Sequence, residues 1–119
     1  MAPRRIVFYR TRTGQCPLEE FLDSLPAREA KRIVWLLGLI RDLDKVPENY
    51  LKKLKGTGEI WESRIQLGAK AFRVLGFFLG DRFIATNAFV KKSQKTPKPA
   101  IEIAERHKRY FDERSKTNG

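Results

Sequence analysis

Apolar residues recur along this chain with two different periods, and the change of period divides it. Ile6-Val7-Phe8-Tyr9 is a β-branched and aromatic run that predicts a strand. Thr13-Gly14-Gln15 ends it, and Pro17 suits a first helical position, where a missing N–H costs nothing. Leu18, Phe21, Leu22 and Leu25 follow at i, i+3, i+4 and i+7, one apolar helical stripe. Pro26 breaks that helix and starts another, with an expected core face of Ala30, Ile33, Val34, Leu37, Ile40 and Leu43. Trp35, Leu36 and Leu39 widen the apolar arc, so this helix is expected to be covered on more than one side.

Lys52-Lys53-Leu54-Lys55-Gly56-Thr57-Gly58 reads as a basic loop, and after it the period becomes two. Trp61, Ser63, Ile65 and Leu67 take one face of a strand; Glu62, Arg64 and Gln66 take the other. Gly68 marks a turn. Phe72 to Leu79 is apolar but for Arg73, and Gly80-Asp81 is a two-residue hairpin signal. Phe83 to Val90 completes a meander and runs into Lys91-Lys92-Ser93-Gln94-Lys95. Thr96 and Pro97 read as the N-cap and first turn of a closing helix with Ile101, Ala104, the Lys108 stem and Phe111 inside. The expectation is an α+β fold: an N-terminal strand, two helices, a three-stranded antiparallel meander and a C-terminal helix, with the helices on one side of the meander. The 119 residues fit one domain, set at residues 1–114, with 115–119 as a polar flexible tail.

Charge sharpens the picture. The chain carries a formal +11. Residues 52–95 hold ten Lys/Arg against three acids, a net of +7, and each flank is only +2. A compact domain this basic repels itself, and the commonest partner that compensates is a phosphate polymer. An anionic membrane surface is the other class. The N-terminal apolar run is too short for a signal-peptide core, and nothing approaches transmembrane length, so a cytoplasmic protein without a membrane role is expected. One Cys and one His with scattered acids make no recognised metal set, and no glycine-rich phosphate loop qualifies, so neither metal nor cofactor is expected.

Solvation of a surface accounts for Lys52, Lys53, Lys70 and Arg82 as well as function does. Arg73 is different: inside an apolar strand it must be paired or face an open groove. A salt bridge to Glu62 one strand away is the structural alternative, and both readings can hold together. If the strand continues, Lys91 and Lys92 point to opposite faces, and only one joins Arg73. Phe89 is either core or a stacking platform for a base. His107, far from the basic motifs, is expected to pack or lie on the surface. Cys16 is expected to be buried or to cap a helix.

These residues carry a resemblance. Leu54-Lys55-Gly56, Ile60-Trp61-Glu62-Ser63-Arg64, Phe72-Arg73-Val74-Leu75-Gly76-Phe77-Phe78, the run from Asn87 to Pro97 and Ile101-Glu102-Ile103-Ala104 resemble the HigB-like, phage-derived toxins of the RelE/ParE superfamily. Phe-x-Lys-Lys-x-x-x-x-Pro after a strand is the most specific piece. Ser63 stands where that family more often has an apolar residue, and Phe72 where it often has tyrosine. The resemblance implies a RelE-like fold and the toxin of a toxin–antitoxin pair. Such a toxin enters the ribosomal A site, beside 16S rRNA, and cuts mRNA there. The implied partner is a helix-turn-helix antitoxin, through which alone the pair meets operator DNA.

RNA can be cut without a metal when its 2′-OH attacks the adjoining phosphate, provided charge is neutralised and two protons move. Arg73 is the first candidate to hold the phosphate and Arg64 the second, since a guanidinium grips two oxygens at once. Lys91, Lys92 and Lys95 add positive charge, and one of them is the candidate general acid. Glu62 is the only carboxylate placed to be a base, although ion pairing is the stronger reading of it. Lys55, Lys53, Lys70 and Phe89 are candidate RNA contacts. Three rival functions share this inventory: a ParE-like gyrase poison, a noncatalytic nucleic-acid-binding module, and a degenerate toxin that still binds its antitoxin.

Overall fold

The computed structural model describes residues 3–92 and 94–118. Its elements run β1 (Arg5–Phe8), α1 (Pro17–Asp23), α2 (Ala27–Asp42), β2 (Leu51–Lys53), β3 (Trp61–Leu67), β4 (Lys70–Leu79), β5 (Arg82–Lys91) and α3 (Lys98–Asn118). The class is α+β, but the sheet has five strands rather than three, in the order β1-β5-β4-β3-β2. β3, β4 and β5 form the expected antiparallel meander. β1 joins it parallel to β5, with Ile6 opposite Phe83. The expected basic loop begins instead as the edge strand β2, where Leu51 sits opposite Ser63 and Lys53 opposite Trp61. Leu51 is buried while Lys52 and Lys53 are exposed, and lysines on a sheet edge discourage pairing with another chain.

The helices do not share one side of the sheet. Leu18 of α1 and Ile33, Leu36, Leu37 and Ile40 of α2 pack on Ile65, Phe72, Val74, Phe83 and Ala85. On the other face, Ala104 of α3 meets Ile60 and Leu75, and further along Tyr110 and Phe111 meet Phe77, Ile84 and Tyr9. The alternation within β4 explains both layers, because each face of that strand is apolar and needs cover.

On α2 the buried set is Ile33, Leu36, Leu37 and Ile40, while Val34 is 55% exposed, Trp35 42% and Leu43 39%. The wide apolar arc is therefore covered only in part: Leu36 is buried among residues of the sheet and α1, whereas Val34, Trp35 and Leu43 stand exposed. Trp35 instead lies edge-on to Tyr50 at 5.7 Å, with the Arg32 guanidinium 4.2 Å from its ring centre.

Two local features set the site. The register of β4 against β5 shifts between Leu75, opposite Asn87, and Gly76, opposite Ala85, so Thr86 is an extra residue in β5. Its hydroxyl donates to Leu75 O at 3.1 Å. The extra residue inverts the alternation. Phe83 and Ala85 face α2, whereas Asn87 and Phe89 face α3. Gly76 allows the strands to close at that point: a Cβ there would lie 2.4 Å from Ile84 O and 2.7 Å from the Phe83 ring.

Pro97, not Thr96, is the N-cap of α3; its carbonyl accepts from the N–H groups of Ala100 and Ile101 at 3.1 and 3.3 Å. α3 continues through 115–118, the stretch expected as a tail. Ser93 of the lysine run and Gly119 lie outside the described residues. No described helix is long and apolar enough to cross a membrane.

Candidate nucleic-acid interface and active site

β3 and β4 set two arginines side by side. Arg64 lies opposite Arg73, and Arg73 lies opposite Phe89 of β5. One step along the same face, Ala71 lies between Gln66 and Lys91. The inverted alternation after Thr86 is what sends Lys91 to this face. Gln66, Ala71, Arg73, Lys91, Lys92 and Gln94 line an open hollow of about 520 Å³ at the end of the sheet beyond α3.

Beneath the cations lies Glu62, with no exposed surface. Its Oε1 accepts from Arg64 Nε at 2.8 Å and lies 3.6 Å from Arg73 Nε. Its Oε2 accepts from the Thr96 hydroxyl. A buried carboxylate is tolerable when it is both hydrogen-bonded and paired, and Glu62 is both. In turn it holds two guanidiniums together that would otherwise repel.

Arg73 has 13% of its side chain exposed. One Nη donates to Phe72 O at 3.0 Å, while Nε is buried without a hydrogen bond among the described residues. Burial is the main force pulling its pKa below the ordinary value; Glu62 opposes that pull and Arg64 adds to it. Lys91 is shifted the same way, first by burial, then by Arg73, with Glu62 opposing and Arg64 adding. A lysine that releases its proton more readily than usual thus stands beside an under-bonded arginine. That combination suits phosphate binding joined to proton transfer.

The other candidates are dispersed. Lys92 lines the hollow, and Lys95 is exposed further along the same loop. Phe89 is half-buried and packs against the cluster of Ile60, Leu75 and Ala104. Lys70 reaches the α2 side, with Nζ 3.1 Å from Glu29. Lys53 lies 3.6 Å from Glu59 and, with Lys55, lines a separate hollow beside Trp61 and Phe78. His107 stacks on Tyr9 at 4.2 Å between ring centres, and burial, then Arg106, pushes its pKa down. Cys16 is buried at the N-cap position of α1 and makes no side-chain capping bond.

Sequence reasoning missed Thr96 as a partner of Glu62. A threonine before a proline carries a strong local capping signal, and no local pattern announces a bond across 34 positions. Gln94 was missed too, because its place in the hollow depends on how the loop after β5 folds back. Among the described residues, no three His, Cys, Asp or Glu side chains gather as metal ligands do.

None of the curated proteins compared with the chain matches it. The family described as "Phage derived protein Gp49-like (DUF891)" matches residues 20–109, from α1 into α3 and across every residue of the hollow. The chain belongs to this Gp49-like family of phage-derived, toxin-like proteins.

Proposed function

We propose that the protein is the toxin of a toxin–antitoxin pair, a HigB-like endoribonuclease with a RelE-like fold that cuts mRNA in the ribosomal A site. The observation that carries this reading is the convergence of Arg73, Arg64 and Lys91 on one face, fixed from below by buried Glu62. Membership of a toxin-like family supports it.

In this mechanism Arg73, with Arg64 beside it, holds the non-bridging oxygens of the scissile phosphate. The ribose 2′-oxygen attacks phosphorus and the P–O5′ bond breaks. Lys91 gives its proton to the departing 5′-oxygen, leaving a 2′,3′-cyclic phosphate and a 5′-OH. Lys92 adds charge at the rim. Glu62 positions the arginines and the loop, with Oε1 accepting from Arg64 and Oε2 from the Thr96 hydroxyl. The 2′-OH proton passes to solvent water or to a group of the ribosome, which gives the enzyme a reason to need the ribosome as a second body. The partner in the cell is a helix-turn-helix antitoxin.

Mapping mRNA 5′ ends after expression, with and without ribosomes, tests the reading. Ribosome-dependent 5′-OH ends are expected. Growth arrest with intact mRNA and accumulating DNA breaks would overturn it in favour of a gyrase poison.

A further inference from the structure

The hollow leaves a second cationic cluster unexplained. It sits toward the other end of α3, where the helix passes over Phe77 and Ile84. The Arg114 guanidinium lies 4.4 Å from the centre of the Tyr110 ring and 5.5 Å from that of Tyr9. Arg12, from the turn after β1, lies 5.6 Å from Tyr110 and donates from Nε to its hydroxyl at 3.4 Å. Arg82, from the start of β5, lies 5.9 Å from the Phe111 ring.

Three segments far apart in sequence thus bring three arginines to one group of rings. None of the three has a carboxylate within ion-pair distance among the described residues. Asp81 is taken by Arg5 at 3.8 Å and Asp112 by Lys108 at 3.3 Å; Glu113 is exposed and is not free either. A helix dipole favours a cation near a helix C-terminus, which accounts for Arg114. It does not account for Arg12 and Arg82, which come from a loop and a strand.

We propose that Arg12, Arg82 and Arg114 form a second RNA-backbone site, separate from the hollow, that grips phosphates outside the segment being cut. Contact with the rings holds the guanidiniums in place, so little freedom is lost when they bind, and their Nη groups, which make no hydrogen bond among the described residues, stay available for phosphate oxygens. The arginines lie over the rings, so the surface offers charge rather than an apolar recess, which suits a polyanion better than a protein segment. A membrane surface would call for exposed apolar side chains, and the large ones (Val34, Trp35 and Leu43) belong to α2 and the residue that follows it, on the opposite face. Asn87 Nδ2 donates to Ala100 O at 3.2 Å and anchors the near end of α3 beside the hollow. From Ala100 to Arg114 the helix rises about 21 Å, too far for one phosphate to serve both sites. Arg106 and Arg109, both exposed, fall between these two points along α3.

This inference takes RNA as the ligand from the reading above but not the cleavage, so its test measures binding alone. Fluorescein-labelled, 2′-O-methylated RNAs of 30 and 5 nucleotides, which cannot be cut by 2′-oxygen attack, are titrated against the full chain and its R12Q/R82Q/R114Q variant. The variant is expected to bind the 30-mer at least tenfold more weakly. The slope of log affinity against log salt should fall by about 2, from three lost phosphate contacts at about 0.7 each. Affinity for the 5-mer, which is too short to bridge both sites, should fall less than that for the 30-mer. Arg12→Gln alone, at an exposed position, should lower the slope by about 0.7 and decides the matter if the triple variant does not fold. An unchanged 30-mer affinity and slope would overturn the proposal. So would, in a parallel titration with phosphatidylserine vesicles, a loss of vesicle binding without a loss of 30-mer binding. Failure of the cleavage reading shows in the mRNA ends and leaves this titration untouched.

Discussion

The hydroxyl of Thr96 donates to Oε2 of Glu62 and ties the loop after β5 to the floor of the cationic hollow. That one bond joins the two halves of the candidate site. Glu62 holds Arg64 and Arg73, and the loop ending at Thr96 carries Lys92 and Gln94.

Thr96→Val keeps the shape and removes the donor. A buried carboxylate left one hydrogen bond short costs about 1–3 kcal/mol. Urea denaturation should register that loss, and RNA cleavage should fall as the loop loosens. Glu62→Ala should be worse, at about 3–5 kcal/mol, because two arginines lose their shared counter-charge. If Glu62→Ala unfolds at the wild-type urea midpoint, the carboxylate is not holding the site together.

Lys91 is the proton donor in the mechanism, and only its protonated form can donate. Burial and Arg73 lower its pKa, so activity should be lost as pH rises through a value below the roughly 10.4 of an ordinary lysine. Lys91→Arg keeps the charge but holds its proton too tightly to give it up. A loss of about 10²–10⁴ in kcat with little change in KM is expected, and single-turnover cleavage across a pH series measures it. Lys92→Arg should move kcat far less.

Gly76→Ala tests the close approach of β4 and β5. Its Cβ would press on the Ile84 carbonyl and the Phe83 ring, neither of which can swing aside. Overpacking of this kind costs about 1–3 kcal/mol, visible as a lower melting temperature.

His107 links stability to pH. Burial beside Tyr9 and the nearby Arg106 lower its folded pKa, so the native state prefers the neutral ring. Its contribution is complete above the unfolded value of about 6.5 and is lost as pH falls from there through the folded pKa. Melting temperatures from pH 7 down to pH 4 should fall more steeply in the wild type than in His107→Phe. Parallel curves would mean that another group drives the acid loss.

Much of this was legible in the chain. The alternation from Trp61 to Leu67 gave the polar face of β3, and an arginine at 73 inside an apolar strand pointed to the candidate site. Three things were not legible, each for a physical reason. Period two counted on from Phe83 puts Lys91 on the α2 side; Thr86 reverses that, and a bulge leaves no periodic mark. The stripe of α3 shows that one side of the helix is buried but not which face of the sheet buries it. Lys52 and Lys53 read as loop because a three-residue edge strand is too short to display alternation.

The central claim rests on the guanidinium of Arg73, and the most direct measurement is cleavage by Arg73→Ala on ribosome-programmed mRNA, with circular dichroism confirming the fold. The account predicts a folded protein whose cleavage rate and growth arrest both fall at least a hundredfold. A folded Arg73→Ala that cuts at the wild-type rate would contradict it.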